Sequence, residues 1–335
     1  MKWLWIGLGV VLLAVGAAGY VLNSGAPAAP KGVCPALLSA APVDANIVGY
    51  LDLTPLRTAE MASQFGAFEQ SPQAASYRDF VEKTNFHLDR DLDHVLLAAS
   101  TDSGSAALIL DGRFDQPRIS SYAATAGSMH HYEAGDVYRF QSASPSSSTS
   151  MMFLGANRLA LAMGRDPDTQ ILMMADASKS GDAALHEDLC ERAQRVAGAT
   201  FFVLGDVPKT ALAQITPVVS RQNPSAAEML KTLRGWDMAY WMDGDNLRME
   251  VEGEFDGVYD AIQARVAFEK LRATIEQHAA AVKPAPAAAN PAGPALDEMV
   301  KNLAITLDGR YVRMGTMVKK SDIEKIAAAS KAAQH

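Results

Sequence analysis

The densest group of side chains able to do chemistry is His130-His131-Tyr132-Glu133-Ala134-Gly135-Asp136. In a strand, alternate residues share a face, so His131 and Glu133 would stand side by side as two ligands of a divalent ion. A metal site needs one or two more, and nothing nearby in the sequence fixes them. An exposed strand with polar side chains accounts for the same residues. Asp243, Asp245 and Glu254 fall at the first, third and twelfth positions of a calcium loop. Leu247 and Arg248, however, occupy the fifth and sixth, where that loop needs a ligand and a glycine. Asp89, Asp91 and Asp93, flanked by His87 and His94, read as a solvated turn leading into a strand. The chain has no Gly-x-Ser-x-Gly elbow, no convincing Ser-x-x-Lys box and no glycine-rich phosphate loop. No catalytic residue, cofactor or metal site is assigned from the sequence.

Two other residue types bear on contacts. Trp236 and Tyr240 share one face of an expected strand and Trp241 takes the other, so one side presents a bulky aromatic as a contact surface unless both are covered. Met151, Met152, Met173 and Met174 sit at strand and helix positions that point to a core. Cys34 and Cys190 are the only cysteines. In an oxidising compartment they could pair and close a long loop, or they could stand apart, one in a tether and one on a helix.

The elements that position these residues repeat. ANIVGYLDLTPLR (45–57) and ATFFVLGDVPKTA (199–211) are each an apolar strand ending in Asp, followed by a proline that opens a helix. Ser71-Pro72 and Asn223-Pro224 follow as helix caps. The stretches 92–115 and 236–256 each read as a hairpin closing in Gly-x-Phe-Asp, and 150–177 parallels 302–329 as a hairpin and a capped helix. Asp166-Pro167 caps one of these helices, and Ser321-x-x-Glu324 forms a capping box on the other. The expected fold is α+β: a tandem duplication of a strand-helix-hairpin-helix-hairpin-helix unit, with antiparallel sheets and helices on one face.

Within the second unit, Leu247, Met249 and Val251 alternate with Arg248, Glu250 and Glu252, which predicts a buried face and a wet one. Val258, Ile262, Val266, Leu271 and Ile275 predict a core-facing helical stripe. Ser142–Ser150 reads as a polar loop and 279–294 as an Ala/Pro-rich linker. The expected organisation is an anchor over 1–22, a tether over 23–43, a first repeat over 44–178, a connecting helix over 179–198 and a second repeat over 199–335.

The anchor sets the compartment. Trp3 to Leu22 carries no charge, and at about 1.5 Å per residue it spans roughly 30 Å, the bilayer core. Lys2 precedes the run and the next basic residue is Lys31, which keeps the N-terminus in the cytoplasm and exports the body. The competing reading is a cleaved signal sequence, with Gly16 and Ala18 at the small positions before the cut. Beyond anchor and tether, about 300 residues remain, enough for two domains or one large one. The net charge of −8 and the single basic doublet, Lys319-Lys320, argue against nucleic acid as a partner.

PVDANIVGYLDLTPL (42–56) and TNFHLDRDLDHVLLAAS (84–100) resemble a broad group of bacterial single-pass envelope proteins with a duplicated exported α+β region. The resemblance implies membrane attachment and an extracytoplasmic role, and it carries over no functional residue. The expected function is a non-enzymatic binding, scaffold or accessory module. It would be held in the cell inner membrane by one helix, with its body in the periplasm and an envelope protein as partner. A tethered binder of a small or lipidic ligand is the alternative, and an enzyme of unfamiliar type the third reading.

Overall fold

The computed structural model describes residues 37–57, 74–141, 148–180, 187–207, 224–243, 246–281 and 300–319, with isolated residues between these runs. The expected anchor, most of the tether, Cys34, Asp245, most of the 279–294 linker and the Ser321 capping box lie outside them. Among the described residues no helix is long and apolar enough to cross a membrane. The chain is α+β and divides into two compact units, with the boundary between Phe201 and Phe202.

The first unit contains β1 (Ile47–Asp52), α1 (Ala75–Thr84), α2 (Leu88–Asp91), β2 (Leu92–Ser100), β3 (Ser105–Gly112) and α3 (Gln116–Ala126). It continues with β4 (Ser128–Tyr132), β5 (Gly135–Gln141), β6 (Ser148–Gly155), β7 (Arg158–Gly164), α4 (Pro167–Ser180) and α5 (Glu187–Arg195). Its sheet runs β1-β2-β3-β7-β6-β5-β4, and each neighbouring pair is antiparallel. Local chemistry sets the helix starts. Asp115 Oδ1 accepts from the Arg118 amide at 3.2 Å, and Asp166 Oδ1 accepts from the Thr169 amide at 3.3 Å, each just before a proline in the first turn.

Both faces of this sheet are apolar. Tyr50, Leu96, Ile109, Ala160 and Met152 lie opposite one another in one cross-strand row. Leu51, Val95, Leu110, Leu159 and Phe153 form the row on the other face. Helices therefore cover both sides, which corrects the expectation of helices on one face. α4 packs on the first face, burying Ile171 and Met174. α1 and α3 pack on the second through a chain of rings: Phe153–Phe114, Phe114–Phe86, Phe86–Phe80 and Phe80–Tyr122, at centroid separations of 6.1, 5.2, 6.0 and 5.4 Å. The reason is visible in Val95-Leu96-Leu97-Ala98 and Ala107-Leu108-Ile109-Leu110, continuous apolar runs that leave neither face fit for water.

Two further expectations change here. The 142–150 loop is shorter, because β6 starts at Ser148 and Ser150 is fully buried. The Asp89–Asp93 turn is partly a helical turn, and Asp91 is buried within an arginine cluster.

The second unit contains β8 (Phe201–Asp206), α6 (Pro224–Lys231), β9 (Leu233–Asp243), β10 (Asn246–Phe255), α7 (Val258–Ala281), β11 (Ala304–Asp308) and β12 (Tyr311–Lys319). Its sheet order is β8-β9-β10-β12-β11. β11 and β12 turn through Gly309, whose φ of 59° suits glycine in a two-residue hairpin. The core joins Phe255, Ala261, Ala264 and Val312, with Met229, Leu233, Phe268, Ile305 and Leu307 packed against it.

This overturns the expected α7 stripe. Val258, Ile262 and Leu271 are 53%, 39% and 53% exposed, while Ala261 and Ala264 are fully buried. Small residues let the helix backbone sit close to the bulky Phe255, so steric fit rather than residue hydrophobicity chose the inward face. The β10 alternation is also crossed: Glu252 is 3% exposed and Val251 is 39% exposed.

Candidate functional site

α7 packs on the sheet face that carries Phe255 and Val312. The same face continues through two facing pairs, Val251–Met238 and Met249–Tyr240, and then Gly253–Trp236. Trp236, Met238, Tyr240 and Met249 are half-buried. Trp236 lies against Gly205, where a Cβ would come within 3.0–3.2 Å of the indole and would have to push the ring aside. Tyr240 Oη points to Met238 Sδ at 3.1 Å, and burial pushes its phenol pKa up. On the outer side of α7, Val258 and Ile262 are joined by Tyr259, which is 71% exposed. The second unit thus presents aromatic, methionine and aliphatic side chains on an open helix surface and a half-covered sheet face. Aromatics in such a setting supply much contact area for little side-chain ordering.

The opposite sheet face is polar but paired. Arg313 Nε donates to Glu252 Oε2 at 2.9 Å and lies 3.5 Å from Glu250. Arg248 Nε donates to Glu250 Oε1 at 2.7 Å, while its guanidinium stacks 4.5 Å from the Trp241 ring centroid. Arg310 meets Glu254 at 2.8 Å. Partnered ions of this kind tie strands together. The three expected contact aromatics therefore differ: Trp236 and Tyr240 belong to the apolar face, and Trp241 is occupied by an arginine.

The first unit carries a row that sequence reasoning missed: Asp52, His94, Asp111 and Arg158 face one another across β1, β2, β3 and β7. Arg158 Nε donates to Asp111 Oδ1 at 2.8 Å and Nη2 to Oδ2 at 3.1 Å. His94 Nε2 lies 3.7 Å from Asp52 Oδ1, and the Tyr50 ring stacks on the imidazole at 6.0 Å. Burial, aided by the Asp52 and Asp111 carboxylates, pushes the Tyr50 phenol pKa up and keeps it protonated. Only register brings these four residues together, so no local sequence signal could have found them.

His131 and Glu133 do not converge. Glu133 opens the two-residue turn between β4 and β5, and the carboxylate facing His131 is that of Asp136, 2.7 Å from Nδ1. Among the described residues no group of three His, Cys, Asp or Glu side chains could hold a metal ion. Cys190, on α5, is disulfide-bonded. A cleft of about 610 Å³ is lined by Gly66, Glu69, Gln70, Arg78, Val81 and Glu82. Of these, Glu69, Gln70, Arg78 and Glu82 carry polar or charged side chains.

No family model matches the chain, and no curated protein matches it. Among solved structures it is similar to crystal form III of TP0453, with a TM-score of 0.44 and 11% identity over 88% of this chain and 97% of that one. Crystal forms I and IV of TP0453 give TM-scores of 0.41, at 11% and 9% identity, over 90% and 89% of this chain and 99% and 97% of theirs.

Proposed function

We propose that this chain is a membrane-anchored, extracytoplasmic accessory module that binds an envelope protein through its second unit. The observation that carries the reading is the outward apolar patch at the start of α7: Val258, Tyr259 and Ile262. Exposed large apolar side chains grouped on one helix mark interaction surfaces on soluble bodies. The uncharged Trp3–Leu22 run supplies the anchor in this reading, and tethering raises the local concentration of the body for partners at the same membrane.

The two units are read as copies of one ancestral unit. Support comes from their strand orders, β1-β2-β3-β7-β6 and β8-β9-β10-β12-β11, which match position by position. In each, the third strand leads through Gly-x-Phe-Asp into a helix, at Gly112–Asp115 and at Gly253–Asp256. The β4–β5 hairpin is then an elaboration of the first copy. The second copy instead carries the long α7, and with it the proposed contact patch.

The test is in-cell crosslinking of the full-length chain, read by mass spectrometry, with a Tyr259→Ser/Ile262→Ser double variant beside it. A reproducible envelope partner that is lost in the variant supports the reading. Identical crosslinks in both chains, or none in either, sink it.

A further inference from the structure

β4 is the outermost strand of the first unit's sheet and pairs with β5 on one side only. The hairpin closes between Tyr132 and Gly135 around the two-residue turn Glu133-Ala134. In such a hairpin the closing pair is hydrogen-bonded and the pattern alternates outward. Ser128, His130 and Tyr132 therefore direct their backbone N–H and C=O to β5, and those of Met129 and His131 face the open side. Ser128, Met129, His130 and His131 are all exposed, Met129 by 53%.

Natural sheets blunt such an edge with proline, lysine, a bulge or a covering element. Ser128-Met129-His130-His131-Tyr132 contains neither proline nor lysine, and its pairing with β5 has no register shift. A helix packs against each outer strand, α3 against β4 and α7 against β11, but only at β11 does a helix side chain hold the adjoining backbone among the described residues: Arg272 Nη1 donates to the carbonyl of Leu303 just before it at 2.9 Å. Among the described residues, the β4–β5 hairpin has no counterpart in the second unit.

We propose that β4 is a self-association edge, on which two copies of this chain pair their β4 strands antiparallel about a twofold axis at His130. The strand is self-complementary in this register. Met129 of each copy faces His131 of the other, and all four of these residues turn their backbone groups outward, so the two ladders close with four hydrogen bonds. Tyr132 of each copy faces Ser128 of the other. His130 faces its own equivalent in a pair that needs no backbone bond. The strand holds no carboxylate, lysine or arginine, so no such charges of one sign stand directly opposed in this register. A second copy is favoured over an unrelated strand because one register satisfies every outward group of both edges. Closed twofold pairing is also the commonest form of self-assembly. The inference uses the sheet edge alone and is independent of the α7 surface.

The test is disulfide trapping in the full-length chain. In the proposed register the two His130 Cα atoms are about 4.5 Å apart, within disulfide reach. His130→Cys is expected to give a disulfide-linked dimer under mild oxidation, resolved on a non-reducing gel. Ser128→Cys is expected to stay monomeric, because its two sulfurs lie about 13 Å apart along the strands. Adding Met129→Pro to His130→Cys removes an outward N–H without touching a β4–β5 bond, and should cut trapping about tenfold. The unsubstituted chain, oxidised in parallel, reports any dimer made by the native cysteines. No dimer from His130→Cys overturns the proposal. So do equal yields from Ser128→Cys and His130→Cys, or trapping that is indifferent to Met129→Pro in a variant whose circular dichroism is unchanged.

Discussion

The hydroxyl of Ser150, fully buried on β6, donates to the carboxylate of Asp168 in the first turn of α4. Arg139 Nη1 donates to the other oxygen of the same carboxylate at 3.3 Å, and Arg139 Nη2 donates to Ser148 Oγ at 3.2 Å. Ser150 and Arg139 are cross-strand partners on β6 and β5. One carboxylate thus pins a helix start to two strands. Ser150→Ala removes a donor from a buried acceptor and should cost about 1–3 kcal/mol. Asp168→Ala should cost more, because it also strips Arg139 of its partner. Urea unfolding of both variants checks the order, and equal losses would sink it.

Asp91 gives the first unit an acid-sensitive joint. Burial alone would raise its pKa. Hydrogen bonds from Arg90 and the His87 amide, with the charges of Arg90 and Arg113, outweigh that and hold it below the usual carboxylate range. The bonds are 3.0 and 3.1 Å from Arg90 and 2.9 Å from His87. A folded pKa below the unfolded one means stability that is present above about pH 3.9 and lost as pH falls through the lower folded value. Asp91→Asn should therefore lower stability at neutral pH and flatten its fall at acid pH. An unchanged acid limb would remove Asp91 from the account.

The same corner requires a glycine. A Cβ at Gly112 would stand 2.3 Å from the Asp91 carbonyl oxygen, a backbone atom that cannot swing away. Gly112→Ala should cost about 1–3 kcal/mol through forced backbone shift, whereas Gly155→Ala meets nothing within 4 Å and should be close to neutral. Thermal melts of the two variants would separate them.

On α7 the structure reverses the pattern that hydrophobicity suggests. Ala264→Leu, into the core against Phe255 and Val312, should destabilise by about 1–3 kcal/mol through overpacking. Val258→Ser, on the open side, should change stability by less than about 0.5 kcal/mol. The opposite order in denaturant unfolding would put the expected stripe back in the core.

Cys190 is disulfide-bonded, and Cys34 is the only other cysteine in the chain. Pairing with Cys34 would close most of the first unit into a loop, and reduction would then lower stability by about 2–4 kcal/mol. Peptide mapping without reductant checks the pairing, and a Cys34→Ser/Cys190→Ser variant should match the reduced chain.

Local chemistry written in the sequence settled the strand and helix positions. Asp166 caps a helix as its place before Pro167 predicts, and the apolar runs at 92–100 and 105–112 became strands. Residue type also placed Met151, Met152 and Met174 in the core, though Met173 beside them is exposed. These are short-range effects, decided by dihedral preference and side-chain-to-backbone bonds within a few residues. Three features depended on residues far apart in the chain. The row Asp52–His94–Asp111–Arg158 needs four strands in register. The burial of both sheet faces needs helices from separate parts of the chain. The inward turn of Ala261 and Ala264 needs Phe255 and Val312 already in place. Hydrophobicity says that a side chain prefers to leave water, but packing decides which one fits, and packing exists only once the distant partners have met.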